Sequence, residues 1–337
     1  LKRYFERVPD AASVFQWMTD RGDVVLNDHV AFRSIDMRSI CKIFIHYGYQ
    51  PQCDRHDQLP YNFPSKKLTA VWLKHPNPEC PRIFVSQFRF EEASYDLQEL
   101  LDRYLRDWTD PISDLNLDDT AAVIDYLHTG QWPTPTISDY KAIQSESEYM
   151  SWVLYNKYYL NHFTLTVHNL RSFDFLSDIQ QILDAHVSDE PDLEACLEAL
   201  EQCYVSHMKQ FNQWLMKQGL LMNAAELDYL NVSPDGLLLQ SSTKSNMIVA
   251  EFADGKEEIP GSYVEFAYRG LLPESVSALL QGQARLDDVV ARRDGFEVGN
   301  ADKIFESTYV AQGDGGESSR QSAYRESCGV LFEFFDE

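Results

Sequence analysis

Positive charge is scarce in this chain. Lys and Arg number 29 against 53 Asp and Glu, for a net charge of −24. A nucleic-acid binder needs a basic face to neutralise phosphates, so that class is excluded, as is docking on anionic membranes. An anionic small molecule is not excluded, because one buried Arg outweighs a distant acidic surface. Long apolar runs are missing too, and no stretch approaches the ~20 residues of a membrane-spanning helix. The six cysteines (Cys41, Cys53, Cys80, Cys196, Cys203 and Cys328) form no CxxC pair and no dense framework. They read as free thiols in a reducing compartment. No GxGxxG follows a strand, and there is no Walker A loop, GxSxG elbow or HExxH. Dinucleotide, P-loop, α/β-hydrolase and zincin chemistries therefore lack their signatures.

What is present is enough apolar residue, 44% of 337 positions, for a sizeable core. Residues 1–22 read as one helix, with Phe5, Val8, Ala12, Val14, Phe15 and Met18 on a rough helical period. The opening LKRYFERV has no initiator Met, which we read as a truncated N-terminus that keeps a targeting peptide open. A strand over 24–34, a helix over 36–49 ended by Gly48, and strands near 50–53, 67–75 and 82–90 give a β-α-β-β-β run. Residues 91–157 are acidic and helical, a connector. A strand at 158–170, helix from about 172 to 219, and strands at 220–223, 236–243, 247–254 and 262–270 repeat the pattern. Within that helical stretch, about 172–208 reads as an acidic insertion. Residues 271–310 close a single catalytic domain over 1–310, and the Gly/Ser-rich 311–337 reads as a mobile tail. The fold class expected is α+β.

Two histidines occupy matching places, His29 in NDHVAFR and His162 in LNHFTLT, each on the first strand of a repeat. Side chains at i, i+2 and i+4 share a strand face, so His29, Ala31 and Arg33 point one way. On the last strand, Tyr263, Glu265, Ala267 and Arg269 share a face, and Glu265 sits between Val264 and Phe266. Two imidazoles and one carboxylate around a concavity suit a non-haem Fe(II) site with open positions. Each residue alone also suits an ordinary structural role; the matched placement of the histidines raises the joint case. The first repeat's counterpart of Glu265 falls near Gln87, an amide and a poor ligand, so three ligands are expected rather than four. Arg33 reads as a clamp for the far carboxylate of a diacid, or as a surface ion pair. Gln240 and Ser242 could line the same pocket. Lys66 and Lys67 read as surface residues. His168 lies six residues from His162, too far along a strand to share an ion, and reads as structural or as a partner behind a ligand.

The blocks NDHVAFRS, FPSKKLTAVW, PRIFVSQF, SESEYMSW, LNHFTLTVH, VSPDGLLLQSST, IPGSYVEFAYRG and RRDGFEVGNADKIFEST closely resemble the 2-oxoadipate dioxygenase/decarboxylase family. These are the 2-hydroxyglutarate synthases of lysine breakdown, and the likeness is greatest to plant-type members. The resemblance spans roughly 24–310. It implies a vicinal-oxygen-chelate-like fold, in which two β-α-β-β-β units form a curved sheet around a metal site, with helical segments added. It also implies Fe(II) held by His29, His162 and Glu265, substrate binding by Arg33, and conversion of 2-oxoadipate and O2 to 2-hydroxyglutarate and CO2. Two departures stand out: the longer acidic stretch at 172–208, and Gln87 where an acid is expected. The alternatives are a related chelate-fold dioxygenase for another 2-oxo acid, or a non-catalytic plastid protein that keeps the fold. The compartment expected is plastid or cytoplasm.

Overall fold

The computed structural model describes residues 1–52, 61–129, 131–188, 190–223, 229–286 and 290–305. The expected mobile tail at 311–337, Cys53 and Cys328 lie outside the described residues. The N-terminal segment is two helices rather than one, α1 (Lys2–Arg7) and α2 (Pro9–Asp20). Pro9 explains the break. It has no amide hydrogen to continue α1, but it fits the first turn of α2, where none is needed.

Strand β1 (Asn27–Ser34) is followed by α3 (Met37–His46). The Asp36 carboxylate caps α3 by accepting from Arg38 N at 3.0 Å, and Gly48 turns the chain away at φ +89. Strands β2 (Gln50–Gln52), β3 (Tyr61–Phe63), β4 (Leu68–Lys74) and β5 (Arg82–Phe88) complete the first run. The short strand β3, which pairs with β4, was not expected from the sequence. The connector holds α4 (Tyr95–Leu105), α5 (Thr120–His128), α6 (Ile137–Glu146) and α7 (Glu148–Asn156). Side chains of Ser94, Asp119, Thr136 and Ser147 cap their first turns.

The second run begins with β6 (Leu160–Thr166). The helical stretch after it is a pair, α8 (Phe175–His186) and α9 (Leu193–Lys217). Asp192 starts α9 by accepting from Ala195 N at 3.1 Å. Then come β7 (Asn231–Val232), β8 (Leu238–Ser242), β9 (Met247–Phe252), β10 (Gly255–Pro260), β11 (Tyr263–Arg269), α10 (Pro273–Leu280) and α11 (Val298–Ile304). Two expected strands differ. LLMN contributes only an isolated bridge between Met222 and Thr243. MIVAEFAD forms β9, which pairs only with β10 in a separate two-stranded sheet. The two-residue turn Ala253–Asp254 folds this segment back on itself, leaving Gly255 opposite Phe252.

The chain forms two compact units. The first holds described residues of 1–30, 162–246 and 261–307, and the second those of 31–161 and 247–260. In the first, β11 lies parallel to β6 and antiparallel to β8, and β7 follows β8. In the second, β4 is flanked by β2 and β5, and helix α3 packs with Ile40 and Ile43 fully buried. The β9–β10 hairpin buries Ala250, Phe252 and Ile259 against Tyr140 and Tyr155. Both are α+β in composition. Cys41, Cys80, Cys196 and Cys203 are free thiols, as expected. Burial pushes the Cys41 thiol up to about 12 and that of Cys203 to about 11, so neither is a ready thiolate. Among the described residues, no helix is long and apolar enough to cross a membrane.

Candidate metal centre

Strand pairing in the first unit sets the site. The parallel register places Tyr263 opposite His162 and Glu265 opposite Thr164. The antiparallel register places Glu265 opposite Ser242 and Ala267 opposite Gln240. Tyr4 of α1 pins β6 to β11. Its hydroxyl donates to the Tyr263 carbonyl and accepts from Phe163 N at 3.2 Å. The Tyr263 ring lies 4.8 Å from that of His162, which limits imidazole rotation.

His29, His162 and Glu265 come together as expected. One ligand atom from each lies within 4.8 Å of the others, and all three residues are buried, Glu265 to 1% exposure. The His29 Nε2 to Glu265 Oε1 distance is 3.4 Å, and His162 Nε2 lies 3.2 Å from Oε2. Nitrogen and oxygen donors about 2.0–2.2 Å from a shared ion stand roughly 3 Å apart, so each His–Glu265 separation is of the size that donors to one ion show. Among the described residues, no other set of three such donors is this close. Gln87, the amide at the first repeat's counterpart of Glu265, takes a different part. Its Oε1 accepts from Met37 N at 2.9 Å and caps α3.

Groups behind these three side chains orient them. Asp28 Oδ1 lies 2.8 Å from His29 Nδ1. A carboxylate can only accept, so Nδ1 carries a hydrogen and Nε2 is the atom turned toward Glu265. Thr164 Oγ1, at 3.0 Å, is a hydroxyl that can donate to that nitrogen. Asp28 is held in turn by Arg269, through Nε at 2.6 Å and a second guanidinium nitrogen at 2.9 Å. Burial pushes the His29 pKa down, but Glu265 and Asp28 outweigh it and the net shift is upward. The carboxylates that favour a proton there also favour a metal cation in its place. Gln240 Nε2 donates to Glu265 Oε1 at 2.6 Å and fixes the carboxylate plane. His168 is not a ligand: its Nδ1 accepts from Arg269 N at 3.2 Å.

Sequence reasoning missed Asp28, Thr164 and Asn300. Adjacent strand residues nominally face apart, so nothing in the spacing marks Asp28 as a partner of His29. The available signal was an acid beside a candidate ligand within a buried strand. Strand alternation puts Arg269 on the face of Glu265 but does not mark it as a partner of Asp28.

Arg33 belongs to the second unit and is 1% exposed, which removes the surface ion-pair reading. Its guanidinium carbon lies 5.2 Å from the Tyr149 ring and 5.3 Å from that of Trp152. Ser34 N and Ser86 Oγ hold the Tyr149 hydroxyl at 3.0 and 2.9 Å. Lys67 pairs with Glu146 at 3.0 Å, while Ser242 lies opposite Glu265.

Glu148, at the start of α7, is half-buried, and its Oε2 is buried with no hydrogen-bond partner. Burial raises its pKa to about 7, against a smaller lowering by Arg33. The unfolded carboxyl ionises near its ordinary value of 4.5, so folding loses stability as pH rises from there through about 7. Glu148→Gln is therefore expected to raise the melting temperature at pH 8 and leave it nearly unchanged at pH 5. Equal shifts at both pH values in thermal unfolding would refute this.

Two histidines and a carboxylate on neighbouring strands of an α+β fold have the composition of a mononuclear metal site with open positions. A family model described as 2-oxoadipate dioxygenase/decarboxylase matches residues 1–280. The chain belongs to that family. The chloroplastic 2-oxoadipate dioxygenase/decarboxylase of Arabidopsis thaliana is 34% identical over 327 residues, 92% of this chain and 75% of the relative. The crystal structure of hydroxyglutarate synthase in complex with 2-oxoadipate from Oryza sativa matches with a TM-score of 0.71 at 32% identity. That match covers 91% of this chain and 88% of the other. A protein from Ralstonia eutropha JMP134 assigned to the glyoxalase superfamily shares the fold, with a TM-score of 0.56 at 20% identity over 79% of each chain.

Proposed function

We propose that the protein is an Fe(II)-dependent dioxygenase/decarboxylase that converts 2-oxoadipate and O2 to 2-hydroxyglutarate and CO2. The observation that carries this reading is the buried His29–His162–Glu265 group in a chain of this family. Fe(II), when bound, supplies a chelation point for a 2-oxo acid and the means to activate O2. His29 and His162 present Nε2, and Glu265 supplies the charge that favours a divalent cation. Asp28 and Gln240 hold the ligands so that they need not reorganise on binding.

In this reading Arg33 grips the distal carboxylate of the diacid. Arg33 follows His29 by four residues on β1, a same-face spacing in an extended strand. A buried guanidinium on two fixed aromatic rings is pre-organised for a bidentate carboxylate. Ser242, opposite Glu265 in register, is proposed to contact substrate. Gln240, whose amide nitrogen already serves Glu265, is proposed to act beside it from the same strand. The chloroplastic relative supports a plastid location over the cytoplasm.

The test is O2 uptake by anaerobically Fe(II)-loaded protein, with products identified by mass spectrometry. One O2 consumed per 2-hydroxyglutarate formed from 2-oxoadipate is the expected result. Uptake only with a different 2-oxo acid would refute the substrate assignment, and silence with every 2-oxo acid in iron-loaded protein would refute the activity.

A further inference from the structure

Two hydrogen-bonded chains leave the ligands in different directions and end on the same short segment. The first runs from His29 through Asp28 to Arg269. Arg269 uses another nitrogen to donate to the carbonyls of Arg293 and Gly295, at 3.1 and 2.9 Å. The second runs from Glu265 to Gln240. Gln240 Oε1 accepts from Asn300 Nδ2 at 3.0 Å, and that Nδ2 also donates to Leu238 O at 3.2 Å. A third contact is apolar: the Phe296 ring meets the His29 imidazole edge-on at 4.8 Å.

All of these partners lie in 293–300. Asn300, Phe296 and Arg269 are buried, and so are the ligands. The segment returns to the sheet through a bridge between Leu271 and Arg292 and a hydrogen bond from Arg293 N to Gly270 O at 2.9 Å. It is short and remote in sequence from the strands that carry the ligands. Its contacts are made by groups already committed to His29 and Glu265. A segment placed only to cover the sheet would need apolar contacts; it would not need to share hydrogen bonds with two ligands at once.

We propose that residues 292–300 form a clamp that holds His29 and Glu265 in their metal-binding orientations and so sets how tightly the metal is retained. Asn300 and Phe296 are positioning residues, since neither supplies a ligand atom. Asn300 fixes the Gln240 amide, which in turn fixes the Glu265 carboxylate. Phe296 and Arg269 limit rotation of the His29–Asp28 pair. This rests on the reading of His29, His162 and Glu265 as ligands. Binding linkage is reciprocal, so a clamp that tightens metal binding must itself be tightened by metal.

The experiment uses Co(II) as the probe, with its dissociation constant measured by competition against a chromophoric chelator. Wild type should bind one Co(II), and His162→Ala should not. Asn300→Ala and Phe296→Leu should each raise the dissociation constant by roughly 10–100-fold, the usual cost of losing a partner behind a ligand. Each should also shift the visible Co(II) bands. Co(II) should slow amide hydrogen exchange across 292–300 in wild type, a response that mere structural support would not give. Tight binding by His162→Ala would remove the ligand assignment itself. Wild-type affinity in folded Asn300→Ala and Phe296→Leu, with His162→Ala unable to bind, would overturn the clamp and leave the ligands standing. Should Asn300→Ala fail to fold, Phe296→Leu and the exchange measurement decide.

Discussion

Glu265→Gln is expected to abolish both stoichiometric metal binding and turnover, in a protein that still folds. The substitution conserves shape, so β11 keeps its parallel register with β6 and its antiparallel register with β8. What changes is charge and donor type. Glu265 is the one carboxylate among the three buried donors. A neutral amide is a weak donor for a divalent cation, and the remaining imidazoles carry no compensating charge. The new amide also meets the Gln240 amide, which now donates to Oε1 at 2.6 Å. A glutamine can accept through its oxygen there only by turning its NH2 toward His162 Nε2, which lies 3.2 Å from Oε2. Either orientation removes a ligand atom. The loss of affinity should therefore exceed the roughly 10–100-fold that follows removal of a partner behind a ligand. Metal content after dialysis and O2 uptake measure it. Retention of wild-type metal content would show that Glu265 is not a ligand.

The three candidate ligands were legible because strand alternation is a rigid rule. Once NDHVAFR and LNHFTLT are strands, the faces of His29 and His162 follow, and YVEFAYR places Glu265 the same way. The groups that orient them were not legible. Asp28 precedes His29 in sequence, where alternation argues against contact, and its other partner is Arg269, 241 residues away. Asn300 reaches Gln240, and Phe296 reaches His29, only because the segment after Gly270 returns to the same sheet. No periodicity records that return. The failures in the fold have local causes. Apolar spacing ran unbroken through Pro9, so it could not show that proline would split the helix. Alternation in MIVAEFAD identified a strand but not its partner, and the tight Ala253–Asp254 turn awarded it to β10 rather than to the main strands.

Arg33→Lys is the second change with a large expected effect, and it separates positive charge from guanidinium geometry. Lysine keeps the charge but offers a single mobile ammonium in place of a planar fork. The native side chain lies almost fully out of solvent beside Tyr149 and Trp152, at 5.2 and 5.3 Å. The Tyr149 ring cannot drift to follow a shorter group, because its hydroxyl is held by Ser34 and Ser86. If Arg33 pairs with the distal carboxylate of a diacid, the variant leaves a desolvated anion poorly matched. Such a mismatch costs about 2–5 kcal/mol, or roughly 30- to 5,000-fold in kcat/KM. Metal affinity should stay at the wild-type value, because Arg33 supplies no ligand atom and Asp28, Gln240 and Thr164 are untouched. The loss should also depend on substrate. A 2-oxo monoacid has no distal charge to lose, so wild type and Arg33→Lys should handle it almost equally poorly. The measurement is a kcat/KM panel over 2-oxo diacids of different length and one monoacid, with metal content determined on the same samples. A uniform loss across the panel, or a fall in bound metal, would make Arg33 a structural support for β1 and refute the clamp on the distal carboxylate.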